Sequence, residues 1–124
     1  GEYRSNAAQA PLQTGVVAAT TSAAMREMIH AARMSSFSTV DTPGYYVGGK
    51  TGTSQVIKNG QYSETETIGT YLGFGGGSVD TPEYVIMVSI SGKDKQMQGA
   101  RDALPLFTDI SNWTLNYLKI QPKG

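Results

Sequence analysis

Cysteine is absent from this sequence of 124 residues, and histidine and tryptophan occur once each. Without cysteine there are no disulfides and no thiolate chemistry, which accords with an extracytoplasmic protein without requiring one. Charge of either sign is sparse and balanced, with ten Lys and Arg against ten Asp and Glu and no run of one sign. The basic footprint of a nucleic-acid binder is therefore missing, and nucleic acid is not an expected partner. Long apolar runs are missing too: the longest is about Val85–Val88, far short of the ~20 residues that cross a bilayer. No signal peptide is visible, and the chain opens on Gly1 rather than Met, which points to a processed or cut piece. No spacing of Asp, Glu and the single His30 suggests a metal site, so no cofactor is expected.

What is present reads as a folded chain. Hydrophobic residues make up 39%, and a chain of this length buries roughly two-thirds of the surface its unfolded form exposes. Residues 1–19 are polar, with at most a short strand near Val16–Val17. From Thr20 the pattern becomes helical: Thr20, Thr21 and Ser22 offer capping oxygens, and Ala24, Met25, Met28, Ile29 and Ala32 follow at helical spacing. This predicts a helix over 21–34 with Arg26, Glu27, His30 and Arg33 on its wet side and Met25, Met28 and Met34 as core. A loop rich in Ser and Thr runs to Pro43-Gly44.

Three strand-like runs come next, at about 45–57, 67–74 and 84–91. Asn59-Gly60 after the first is a hairpin signal, Gly75-Gly76-Gly77 breaks the second and Gly92 ends the third. Connections this short make an antiparallel meander rather than crossover units. Glu64 and Glu66 read as a solvated hairpin pair, not an acid/base dyad. A last helix is predicted over 104–118, with Pro105 in its first turn and Pro122 blocking continuation. Leu106, Phe107, Ile110, Trp113, Tyr117 and Leu118 form an apolar stripe expected to pack on the sheet. The fold class is α+β.

The chemistry concentrates in Val47-Gly48-Gly49-Lys50-Thr51-Gly52-Thr53-Ser54-Gln55. Side chains alternate along a strand, so Lys50 and Gly52 share one face and Thr51 and Thr53 the other. Gly52, having no side chain, lets another element press close on its side, as a helix carrying a nucleophile would. Lys50 can send an ammonium toward that nucleophile. Thr51 and Thr53 offer hydroxyls to a carboxylate, and a strand N–H can act as an oxyanion donor. At a sheet edge, the same strand could also pair with an extended peptide.

Gly49-Lys50-Thr51-Gly52-Thr53-Ser54-Gln55 resembles the Lys-Thr-Gly box of penicillin-binding proteins, the third of their three catalytic motifs. Downstream, Thr70-Tyr71-Leu72-Gly73-Phe74 is similar to the Ser-Phe-hydrophobic-Gly-Phe strand of the class B, monofunctional transpeptidases. Pro82-Glu83-Tyr84-Val85 resembles their Pro-x-Tyr-Val strand, and Pro105 through Leu118 fits their closing helix. The resemblance covers about residues 16–122. It implies a penicillin-binding protein/β-lactamase-like fold, with residues 1–124 as the C-terminal portion of one incomplete transpeptidase domain. It further implies that Lys50 and Thr53 are catalytic, Lys50 in proton transfer and Thr53 through its backbone N–H in the oxyanion hole. Thr51, Gly52, Thr53 and Gln55 would bind substrate, a peptidoglycan stem peptide or a β-lactam. The implied reaction is serine acyl transfer on D-Ala-D-Ala, at the extracytoplasmic face of a bacterial membrane, in a parent anchored by a helix outside this sequence.

The family's Ser-x-x-Lys and Ser-x-Asn are not in this sequence. No serine stands three residues before Lys50, Lys58, Lys93, Lys95 or Lys119, and no Asn follows a Ser or Tyr at two residues. The expected partner is therefore the remainder of the chain's own transpeptidase domain, and the piece alone is expected to be inactive and open to self-association. Ser35-Ser36-Phe37-Ser38 replaces a Gly-Thr-Gly-like stretch, and Gly75-Gly76-Gly77 stands where the family often has Ala-Pro-Ala. Other readings stay open: a β-lactam sensor of the same fold, a class A β-lactamase or carboxypeptidase, and a small α+β interaction module in which Lys-Thr-Gly is coincidence.

Overall fold

A computed structural model describes residues 13–37 and 40–122. The elements run α1 (Ala19–Phe37), β1 (Tyr46–Lys58), β2 (Gln61–Gly76), β3 (Tyr84–Ile90), a single π-helical turn (Gly99–Ala103) and α2 (Leu104–Tyr117). The three strands form one antiparallel sheet in the order β1-β2-β3. The expected meander is thus present, and residues 1–12 lie outside the described part. Val16–Val17 is a bend with both side chains exposed, not a strand. Among the described residues, no helix is long and apolar enough to cross a membrane.

Asn59 and Gly60 both take positive φ, 53° and 77°, so Lys58 faces Gln61 across a two-residue turn. The turn forces pairing to start at once. For that reason β2 begins at Gln61 rather than 67, through a polar stretch that has no apolar face to bury. The ladder then slips: after Ile57↔Tyr62 the next pair is Gln55↔Thr67, so β1 advances two residues while β2 advances five. Within the slip, Ser63 Oγ accepts the N–H groups of Thr65 and Glu66. Glu66 is turned inward, only 7% exposed. It accepts Lys58 Nζ at 2.6 Å and the N–H of Asp94 at 2.7 Å, and those two bonds hold its carboxyl below its ordinary range. Glu64 stays exposed. The two glutamates are therefore not a solvated pair.

One sheet face carries the core. Val47, Tyr71 and Val88 from the strands meet Ala103, Leu104 and Phe107 there. A Cβ on Gly73 would collide with the Phe107 ring, so that glycine admits α2 to the sheet. Two helical expectations are corrected by this packing. On α2 the inward residues are Leu104, Phe107, Thr108, Ser111 and Leu115, while Leu106, Ile110, Trp113, Tyr117 and Leu118 are exposed. Of the predicted stripe only Phe107 is core. The polar inward positions are satisfied: Ser111 Oγ lies 2.6 Å from Tyr84 Oη, and Thr108 Oγ1 accepts from Arg33. On α1, Met25, Met28 and Met34 are exposed and Arg33 is buried, the reverse of the apolar pattern.

Among the described residues the opposite sheet face is largely uncovered, α1 reaching it at Gly48. Leu72 is exposed, and Val85 and Met87 on β3 are 70% and 65% exposed. Among the described residues β3 is also an edge of the sheet, with no proline or lysine in Tyr84–Ile90 to discourage pairing. The chain alone is expected to self-associate at micromolar concentration, by strand pairing or exchange of an end segment. Sedimentation checks this: a monomer that persists at high concentration would contradict it.

Candidate functional site

Lys50-Thr51-Gly52-Thr53 lies in the middle of β1, the other edge of the described sheet. Its cross-strand partners are Leu72, Tyr71, Thr70 and Gly69 in turn. Thr51 and Thr53 therefore share the core-side face with Tyr71, and Lys50 shares the uncovered face with Leu72. The alternation expected from sequence holds.

Lys50 is exposed, and its Nζ donates to the carbonyl and Oγ1 of Thr51 at 3.1 and 3.3 Å. Both acceptors are neutral, so no salt bridge ties this ammonium to a carboxylate among the described residues. Gly52 is approached from both faces. On its own side, Thr70 Oγ1 would lie 2.5 Å from a Cβ at this position. From the core side the π turn presses in: a Cβ on Gly99 would sit 2.6 Å from the Gly52 carbonyl oxygen. The Gly99 N–H also reaches Thr53 Oγ1 at 3.4 Å. Among the described residues, the element that presses on Gly52 from outside the sheet is thus this backbone turn. Gln55 is exposed and donates from Nε2 to the Ser63 carbonyl at 3.3 Å, turned along the hairpin away from Thr51.

Two residues of α1 read from sequence as solvated are not. His30 Nδ1 lies 2.7 Å from the Val47 carbonyl. A carbonyl only accepts, so this nitrogen carries the proton, and the imidazole caps the edge of β1 just ahead of the Lys-Thr-Gly segment. Arg33 is 1% exposed. Its guanidinium forks onto Asp41 at 2.7 and 2.6 Å and reaches Tyr71 Oη at 2.8 Å and Thr108 Oγ1 at 3.1 Å. The Tyr71 and Phe107 rings lie to its sides, with centroids at 5.5 and 5.2 Å. Burial pulls against the charged form, but the bonds to Asp41 and Tyr71 outweigh it and hold Arg33 above its ordinary pKa. Burial also raises the Tyr71 phenol, against the pull of Arg33. Thr70, Arg33, Asp41 and Tyr71 were not singled out from sequence. Only the Thr70–Tyr71 strand motif carried a signal, and it gave no partner for either residue.

Residues 2–112 match the family described as the penicillin binding protein transpeptidase domain. Stage V sporulation protein D of Bacillus subtilis (strain 168) is 36% identical over 81 residues, which is 64% of this chain and 12% of that protein. Penicillin-binding protein PbpB of Mycobacterium tuberculosis is 30% identical over 110 residues, 81% of this chain and 16% of that one. The crystal structure of penicillin binding protein 3 from Mycobacterium tuberculosis, complexed with ampicillin, superposes with a TM-score of 0.69 at 28% identity. It covers 91% of this chain and 27% of that one. The chain therefore spans less than a third of the length of these relatives. Its antiparallel sheet with helices is the penicillin-binding protein type of α+β fold that the motifs implied. Motif order, strand topology and sequence relationship agree, and the chain belongs to the penicillin-binding protein transpeptidase family, as a class B member.

Proposed function

We propose that residues 1–124 are the C-terminal portion of a peptidoglycan D,D-transpeptidase domain and form its Lys-Thr-Gly wall, facing a nucleophilic serine carried by residues outside this sequence. The observation that carries this is the state of Lys50, an exposed ammonium with only neutral acceptors, on a sheet face that the described residues leave open. An ammonium held only by neutral acceptors is available to a neighbouring serine and lysine. Thr51 and Thr53, on the edge strand beside it, receive the carboxylate of a β-lactam or of a stem peptide. The Thr53 N–H serves as an oxyanion donor once the acyl group arrives. Gly52 keeps the strand surface low enough for substrate to lie along it, and Gln55 borders its far end.

The complex of the mycobacterial relative with ampicillin supports β-lactams as the ligand class. The open face over Leu72, Val85 and Met87 is where the remainder of the domain would pack. The parent acts at the extracytoplasmic face of the membrane, where peptidoglycan is cross-linked.

Two experiments test this. The chain alone, having no Ser-x-x-Lys, should form no adduct with a fluorescent penicillin; a labelled band that survives denaturing electrophoresis would contradict the assignment. In the longer protein, changing Thr51 and Thr53 together to valine should weaken acylation while the fold persists, each lost charge-assisted bond costing ~1.5–3 kcal/mol. Unchanged kinetics in a folded double variant would remove both from the site.

A further inference from the structure

The buried Arg33 cluster has a geometric consequence for the Lys-Thr-Gly strand. We propose that Arg33, acting through Tyr71, is a positioning residue that sets the depth of Gly49–Thr51 and so aims Lys50; this rests on the function proposed above. Arg33 donates to Tyr71 Oη at 2.8 Å. That same oxygen would lie 2.6 Å from a Cβ on Gly49, so the phenol end of Tyr71 presses directly on the backbone one residue before Lys50. Tyr71 is also the cross-strand partner of Thr51. The residue that Arg33 holds thus touches the strand on either side of Lys50.

Among the described residues, the ladder with β2 holds this stretch within the sheet, and little else sets its position on the core side. β1 is an edge, and the His30 bond to it falls at Val47, three positions before Lys50. A cavity of about 170 Å³ opens between α1 and the strand, lined by Ala32, Phe37, Gly49 and Thr51 among others. On that side helix packing does not support Gly49–Thr51, and the Tyr71 ring does. The ring itself is clamped, since Arg33 is anchored to Asp41 by two bonds and to α2 through Thr108. A bidentate guanidinium with further donors to spare can brace three elements at once, and a lysine ammonium cannot match that geometry. Misplacement of a reacting group by ~1 Å is enough to cost up to ~100-fold in rate, so such a brace bears on catalysis even though Arg33 never meets substrate.

The test measures acylation of the longer protein by a fluorescent penicillin, with thermal melting alongside, in Tyr71→Phe, Arg33→Lys, Thr108→Val and Lys50→Ala. Tyr71→Phe keeps the ring, whose Cε1 and Cζ also lie against Gly49, and removes only the oxygen by which Arg33 holds it. It should slow acylation on the order of 10-fold while the protein remains folded. Arg33→Lys keeps the charge and should not restore the rate, which a purely electrostatic role would. Thr108→Val removes another bond of the same cluster, away from Gly49, so it should lower the melting temperature without slowing acylation. If all three slow acylation in proportion to lost stability, the role is structural and the proposal falls. Wild-type acylation in Tyr71→Phe and Arg33→Lys, with Lys50→Ala slow, overturns the positioning role alone. Wild-type acylation in Lys50→Ala overturns the site assignment and this proposal with it.

Discussion

Lys50→Ala in the longer protein is expected to slow acylation by a penicillin between ~10² and ~10⁴-fold, the range a positioned proton-transfer group contributes. The fold should hardly notice. Lys50 is exposed, sits on the uncovered sheet face, and spends its hydrogen bonds on the carbonyl and hydroxyl of its own neighbour Thr51. An exposed substitution away from buried features usually changes stability by about 0.5 kcal/mol or less. A side chain that the fold does not need, on the strand that matches the family motif, should therefore separate activity from stability cleanly. Stopped-time labelling with a fluorescent penicillin gives the rate and a thermal melt gives the stability. A wild-type rate in Lys50→Ala would show that this ammonium takes no part in acylation.

Asp41→Ala should do the opposite, destabilising the chain itself by ~3–5 kcal/mol, as expected when one partner of a buried ion pair is removed. Both side chains are shielded, at 0% and 6% exposure, and Arg33 Nε and Nη2 each bond an Asp41 oxygen. Without Asp41 the guanidinium keeps its hydroxyl partners Tyr71 and Thr108 but has no counter-charge. A small domain has only ~5–15 kcal/mol of stability in total, so the loss would move the urea midpoint far down. The double change Arg33→Met with Asp41→Leu should cost much less, because it removes the stranded charge along with its partner. Urea unfolding at submicromolar concentration, to avoid self-association, distinguishes the two. Equal loss in the single and double variants would mean that the charge is not what makes the single change costly.

The class of fold and the position of the candidate site were legible in the residues. Asn59-Gly60 requires a two-residue hairpin, the stretch 84–91 reads as strand on β-rich content and is strand over Tyr84–Ile90, and Pro105 opens the last helix where it was expected. Lys-Thr-Gly, in a strand as expected, marked the candidate site. Hydrophobic pattern did worse on the helices. It placed Ile110, Trp113, Tyr117 and three methionines inward, and they face outward. Which side of a helix is buried depends on what lies across from it. Here the sheet offers Tyr84 and α1 offers Arg33, whose polar ends draw Ser111 and Thr108 to the inside.

The residues alone determined that Lys50 and Gly52 share one face of a strand and Thr51 and Thr53 the other, because a strand repeats every two residues. They did not determine what those faces meet. Counting back from the tight turn, with Lys58 opposite Gln61, would set Lys50 against Gly69; the slip between Gln55 and Ile57 sets it against Leu72 instead. The shift is by an odd number, so it exchanges which face of β2 lies beside Lys50. That slip is held by contacts distant in sequence, with Glu66 drawn in by the Asp94 N–H and by Lys58, and Gly99 pressed on Gly52. Likewise nothing local pairs Arg33 with Asp41, Tyr71 and Thr108, since the last lies 75 positions away. Periodicity is a property of the backbone and is written along the chain, whereas register and buried charge pairing are settled only where separate elements exclude water together.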